Sequence, residues 1–85
     1  MRVTVQNRLG LHARPAMALV DTVKSFDATV RIRRDDVEVD ASSIMEVMML
    51  AATQGTELEV RCHGTDARGC ALAIRELVNA RFGED

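Results

Sequence analysis

The sequence has no tryptophan or tyrosine and only two phenylalanines among its 85 residues. Because single-stranded nucleic acids stack on aromatic side chains, a base-stacking protein is disfavoured. Eleven basic residues stand against 13 acidic ones, so the basic surface that binds duplex phosphates is missing as well. No apolar run reaches the ~18 residues of a membrane span, and residues 1–15 show no secretory signal. We therefore expect a cytoplasmic protein with no nucleic-acid or membrane partner.

The sequence also has only two cysteines, Cys62 and Cys70. Two cysteines are too few for the disulfide framework of a small secreted domain. Their spacing matches no common zinc motif, and His63 has no second Cys/His pair to complete a ligand set. We expect two structural thiols in a reducing compartment and no metal site.

The rest of the composition, 47% hydrophobic and 28% charged, is typical of a folded globular protein. At this length we expect a single domain spanning residues 1–85. Alternating polar and apolar residues predict strands, and apolar residues at helical spacing predict helices. The predicted strands are residues 2–6, 29–34, 37–39 and 57–62. The predicted helices are residues 13–24, residues 43–50, and a last helix that opens near residue 66 and extends to about 81.

This order, βαββαβα, predicts an α+β fold, an open-faced β-sandwich. We expect a four-stranded antiparallel sheet whose helices pack on one face, where their apolar stripes are buried. Charged residues such as Arg31, Arg33, Glu57 and Glu59 occupy the alternate strand positions and should face water. An open sheet face covered by charges favours a monomer.

The most informative stretch is residues 10–16, where His12 stands immediately before a helix that has Pro15 in its first turn. A helix start offers free N–H groups and partial positive charge, which favour a phosphate. Arg14 adds donors suited to phosphate oxygens, and Gly10 permits a turn that exposes the imidazole. A neutral imidazole at such a site could accept a phosphoryl group on nitrogen.

Two other interpretations of His12 stay open. It could be an ordinary surface histidine beside a solvated Arg14. It could also serve a small α/β hydrolase of acylphosphatase or ferredoxin-like architecture. The hydrolase is disfavoured, because no Asp or Cys nearby in sequence completes a triad and no second acid–base group is apparent near His12.

A second informative stretch begins at Ser43, which Glu46 follows three residues later in a capping-box pattern. We expect Ser43 to be the N-cap of a short helix whose buried stripe is filled by Val47 and Leu50.

Several apolar residues near that helix are expected to be partly exposed and to bind partner proteins, because flexible methionines suit surfaces that accept several partners. The alternative is that all of them belong to the core. The residues assigned to this surface are Met17, Ile44, Met45 and Met48.

The stretch Leu-His-Ala-Arg-Pro-Ala, residues 11–16, resembles the active-site motif of the HPr family. These are histidine-containing phosphocarriers of the bacterial phosphoenolpyruvate-dependent sugar phosphotransferase system. The resemblance covers the whole chain, because the Ser-Ile-Met run at 43–45, the Gln-Gly-Thr-Glu-Leu run at 54–58 and the closing helix lie where the family has them. It implies an HPr-like sandwich.

The resemblance also implies a function. His12 would accept phosphate from Enzyme I on its Nδ1 atom and pass it to Enzyme IIA, while Arg14 steadies the phosphate. Such a protein acts only with partner enzymes and needs no cofactor or metal of its own. Ser43 matches the serine that HPr kinase/phosphorylase modifies in some bacteria, with a carbon-catabolite regulator as a further partner.

Two positions depart from the family pattern. Glu46 stands where relatives usually have Gly or Lys, and Asp21 stands where a basic residue is frequent. Because partner surfaces in the family are often acidic, these carboxylates favour a specialised branch such as a nitrogen-related phosphorelay. Glu46 also weakens the case for Ser43 as a regulatory site, since a phosphate on Ser43 would lie beside its carboxylate. The alternative function is a regulatory phosphoprotein of the same family, acting through Ser43 phosphorylation or a nitrogen-branch phosphorelay, without a direct role in sugar transport.

Overall fold

A computed structural model describes residues 1–84 and has the expected order of elements. Each element lies within a few residues of the range that the sequence pattern predicts. Its strands and helices are β1 Arg2–Thr4, α1 Ala13–Lys24, β2 Thr29–Arg34, β3 Val37–Asp40, α2 Ile44–Met49, β4 Glu57–His63 and α3 Ala67–Asn79, followed by a short turn of 3-10 helix at Arg81–Gly83.

The four strands form one antiparallel sheet in the order β1-β4-β2-β3. In this register Val3 lies opposite Leu58, and Ile32 lies opposite both Val39 and Val60. All five side chains are buried, because the alternation along each strand turns them to the same face. The expected open-faced sheet is therefore confirmed.

The long helices cover that apolar face. Helix α1 buries Leu19 and Val20, helix α3 buries Ile74 and Val78, and the two helices pack against each other. The opposite face carries ion pairs between arginines and glutamates, of which Arg33–Glu59 at 3.5 Å is one. Exposed pairs of this kind add at most about 1 kcal/mol each, so burial under the helices stabilises the sheet.

Strand β1 is shorter than expected and ends at Thr4 rather than at residue 6. Its next residue, Val5, stays extended but bonds to a turn: its N–H donates to Thr56 O at 2.9 Å and its carbonyl accepts from Gly55 N at 2.8 Å. The last helix ends at Asn79, also before the expected residue 81.

The two cysteines are free thiols, with Cys70 fully buried on α3 and Cys62 partly buried on β4. Burial raises the pKa of both thiols, that of Cys70 to about 11, so both are protonated at neutral pH. Within residues 1–84 no helix has the length and apolarity to cross a membrane.

A strained residue, Ala51, lies two residues after the end of helix α2, with a φ of +48°. The Arg34 guanidinium donates to the Leu50 and Ala51 carbonyls, both at 2.8 Å, and so pairs two carbonyls that the helix end leaves free.

Replacing Ala51 with glycine is expected to stabilise the protein by about 1 kcal/mol, because glycine has no Cβ penalty in the left-handed region. Urea unfolding would measure the gain. The matched control is Ala73→Gly in the interior of α3, where glycine should cost about 1 kcal/mol instead. A loss of stability in Ala51→Gly would contradict the assignment of strain.

Candidate functional site

The loop between β1 and α1 requires a glycine at position 10. Gly10 has a φ of +67°, and a Cβ there would overlap the Ala52 carbonyl oxygen and lie 2.9 Å from the Cα of Thr53. The next residue, Leu11, is buried and donates its N–H to the same Ala52 oxygen at 2.9 Å. These contacts hold the backbone immediately before α1 against the segment that follows α2.

His12 occupies the N-cap of α1 with extended backbone, and its side chain makes no capping hydrogen bond. Its carbonyl accepts from Ala16 N at 3.0 Å. Since Pro15 has no N–H, the amides of Ala13 and Arg14 are the free donors of this helix start. The His12 side chain is 37% exposed, so an imidazole with access to solvent lies at the positive end of a helix.

A carboxylate that sequence reasoning missed lies against this ring. Nε2 of His12 is 2.8 Å from Oε1 of Glu84. The expectation that no second acid–base group lies near His12 is therefore wrong. The two residues are 72 positions apart, and the available sequence signal was the Phe-Gly-Glu run after the last helix, where a glycine can reverse the chain.

Asn7 links the carboxylate to the loop. Its side chain is fully buried, and its amide nitrogen donates to Gly10 O at 2.6 Å and to Glu84 Oε1 at 2.8 Å. Its own oxygen, Oδ1, is buried without a hydrogen-bond partner among residues 1–84. Asn7 was not singled out from the sequence, where a polar residue after a short strand is typical of a turn.

The environment of Glu84 keeps its carboxyl group ionised. The hydrogen bond from His12, the hydrogen bond from Asn7 and the nearby charge of Arg14 together lower the pKa of Glu84, although partial burial opposes them. An ionised carboxylate can only accept, so the proton of this contact belongs to Nε2 of His12. The side chain of Glu84 is 19% exposed.

Arg14 lies in the first turn of α1 with its side chain in solvent. It forms no ion pair with any residue in the range 1–84. Its guanidinium donors are therefore free of protein partners within that range.

Ser43 caps α2 as expected: its Oγ accepts from Glu46 N at 3.2 Å. The second half of the capping box differs. The Glu46 carboxylate accepts from the Asp40 amide at 3.1 Å, because the Ser43 amide already donates to Asp40 O. Val47 and Leu50 are buried, as the pattern predicts.

The apolar surface expected to bind partners is exposed. Met17 is 49% exposed and Met45 is 80% exposed, and helices α1 and α2, which carry them, pack side by side. Met49 on α2 and Leu9 in the loop before α1 are exposed as well. All four residues that the sequence assigned to this surface are exposed: Met17, Ile44, Met45 and Met48.

The fold and the motif together define a class. An open-faced βαββαβα sandwich with an accessible histidine at the cap of its first helix is the architecture of a histidine-containing phosphocarrier. The sequence model described as "PTS HPr component phosphorylation site" matches residues 1–80. The chain belongs to the HPr family of phosphotransferase-system phosphocarriers.

Relatives with two different names are similar to this chain. Phosphocarrier protein HPr of Xylella fastidiosa is 46% identical over 83 residues, which cover 98% of this chain and 93% of the relative. Phosphocarrier protein NPr of Proteus mirabilis is 41% identical over 85 residues, which cover 99% and 94%. A crystal structure of HPr from Thermoanaerobacter tengcongensis superposes with a TM-score of 0.95 at 33% identity, covering 100% of this chain and 96% of the other.

The lowered pKa of Glu84 predicts a pH-dependent contribution to stability. Its ordinary value is 4.5, and the folded value lies below it, so the contribution is present above about pH 4.5 and is lost as the pH falls through the folded pKa. Urea unfolding between pH 3 and pH 7 should show wild type more stable than Glu84→Gln at neutral pH, with the two converging in acid. Glu76→Gln, an exposed change on α3, is the control. A constant difference across this range would contradict the prediction.

Proposed function

We propose that this protein accepts a phosphoryl group from Enzyme I on Nδ1 of His12 and passes it to Enzyme IIA. The observation that carries the proposal is the state of the ring: Nε2 is hydrogen-bonded to Glu84, and Nδ1 has no hydrogen-bond partner among residues 1–84. The lone pair of a neutral, Nε2-protonated imidazole is on Nδ1. We place this transfer in the cytoplasm, in a monomer of one domain.

The site can stabilise the phosphoryl group without a cofactor. As the nitrogen–phosphorus bond forms, the bond between phosphorus and the donor breaks and the donor retains its electron pair. The phosphoryl oxygens then meet the free amides of the helix start and the Arg14 guanidinium. Because the site is open to solvent, this stabilisation stays modest, so the group can be passed on.

Two observations favour a second branch of the same family. Asp21 is exposed on α1 four residues after Met17, so a carboxylate lies on the helix face that carries part of the apolar surface. The similar proteins also include NPr as well as HPr. The alternative is therefore a nitrogen-related phosphorelay in place of sugar transport, with different partner enzymes.

Regulation at Ser43 is less well supported. Its hydroxyl oxygen accepts the Glu46 amide, and the Glu46 carboxylate is held near the same helix start by the Asp40 amide. A phosphate on Ser43 would break the cap and add about two negative charges beside that carboxylate. HPr kinase/phosphorylase and a carbon-catabolite regulator would be the partners if Ser43 were modified.

The phosphotransfer assay tests the leading proposal. Incubation with phosphoenolpyruvate and Enzyme I should yield a single acid-labile, base-stable phosphoryl adduct on wild type and on His63→Ala, and none on His12→Ala. Arg14→Ala should slow the transfer by about ten- to a hundredfold, because one charge-assisted hydrogen bond is lost. The protein alone should release no phosphate from an added phosphate ester. An adduct on His12→Ala would refute the assignment.

Partner choice can be tested through Asp21. With a sugar-branch Enzyme I whose docking surface is acidic, Asp21→Lys should raise the transfer rate several-fold at low salt, and added salt should remove the gain. With a nitrogen-branch Enzyme I the same change should slow the transfer. Asp36→Lys, in the β2–β3 turn, has the same charge change and should leave both rates unaltered.

A further inference from the structure

We propose that Glu84 is a positioning residue for phosphoryl transfer: it holds the proton of His12 on Nε2 and thereby presents the lone pair on Nδ1 to the donor. The proposal rests on the function proposed above and assigns a role to a residue outside the matched family range, residues 1–80. Three independent features of the structure support it.

The first feature is the backbone that brings Glu84 to the ring. After α3 ends, Arg81, Phe82 and Gly83 all have left-handed φ values, +56°, +55° and +75°. The Glu84 amide donates to Arg81 O at 2.9 Å, and the Phe82 ring packs against the core. Arg81 and Phe82 carry side chains that disfavour the left-handed conformation. Contacts with the rest of the fold therefore hold this turn, rather than the intrinsic preference of its residues.

The second feature is Asn7, which orients the carboxylate. Its amide nitrogen donates to the same oxygen, Oε1, that accepts from His12, and it also donates to the carbonyl of Gly10. The loop before the histidine and the acceptor of its proton are thus bound to one buried side chain. That arrangement leaves Asn7 Oδ1 without a partner within residues 1–84, an unfavourable state that the orientation of the carboxylate would explain.

The third feature is the charge of Glu84 and where it lies. Before transfer the ring is neutral, with its proton on Nε2. When Nδ1 bonds to phosphorus, the ring becomes cationic and keeps that proton, and the donor leaves with the electron pair of its broken bond. A carboxylate on Nε2 stabilises the developing positive charge, as an acidic partner does for other catalytic histidines.

The position of the carboxylate also limits its repulsion of the substrate. Glu84 contacts the ring nitrogen opposite the one that receives the phosphoryl group. Arg14 lies close enough to lower the pKa of the Glu84 carboxyl, and its charge offsets the repulsion between the carboxylate and phosphoryl oxygens. The Glu84 carboxylate therefore attracts the cationic ring, while its distance from Nδ1 and the charge of Arg14 reduce its repulsion of the incoming phosphoryl group.

The test combines a ring measurement with a rate. Nitrogen-15 NMR of the His12 ring reports the tautomer directly, and Enzyme I with phosphoenolpyruvate reports the transfer rate. Wild type should be mainly the Nε2–H tautomer. Glu84→Ala should shift the ring towards a mixture of tautomers and slow transfer by about tenfold. In Glu84→Gln the side-chain amide oxygen should still accept from Asn7 and from Nε2 of His12. This variant should therefore keep the Nε2–H tautomer and lose only part of the transfer rate.

Glu76→Ala is the control for removing a carboxylate from the same end of the sequence, and it should alter neither readout. The proposal is overturned if Glu84→Ala leaves the tautomer or the rate unchanged, while the carrier function stands as long as His12 is still phosphorylated. If wild type itself receives no phosphoryl group, the proposed function fails. The positioning role then fails with it, even where the tautomer depends on Glu84.

Discussion

The hydrogen bond between the His12 ring and the Glu84 carboxylate joins residues 72 positions apart, and most of the fold is needed to make it. Strand β1 lies at one edge of the sheet beside β4, and α3 packs against both strands. The loop that leaves β1 and the turn that leaves α3 therefore meet at one end of the molecule. A different strand order, or an α3 with one more turn, would separate the imidazole from its acceptor.

Much of the architecture is readable from the sequence because its causes are local. Alternation along residues 29–34 and 57–62 places Ile32 and Val60 on one face, and the structure pairs them in register. Helix α1 occupies the predicted range 13–24, because its apolar spacing and its early proline agree. The ends of β1 and α3 were predicted less accurately. Hydrogen bonds from Val5 to the turn at Gly55 and Thr56 decide where β1 stops, and α3 stops shortly before the left-handed turn that begins at Arg81.

The sequence predicts only the part of the site that a local motif contains. His12 and Arg14 belong to one short motif, so a local pattern predicts both. Glu84 and Asn7 acquire their significance through contacts that no spacing rule describes. Glu46 illustrates the intermediate case: it obeys the capping-box pattern, but its carboxylate bonds to the Asp40 amide because the expected donor is already paired.

Two unfavourable features of this chain lie beside the acceptor of the His12 proton. The left-handed Phe82 and the Asn7 oxygen, which has no partner in the described part of the chain, each cost about 1–3 kcal/mol. The core can offset such costs because the neighbouring backbone is anchored in it, through Leu11 on one side and the Phe82 ring on the other. A relaxed loop and a relaxed chain end would be more stable separately, but they would leave the proton of the imidazole free to occupy either nitrogen. The unfavourable conformation of Phe82 and the buried Asn7 oxygen therefore accompany a His12 ring whose proton is held on Nε2.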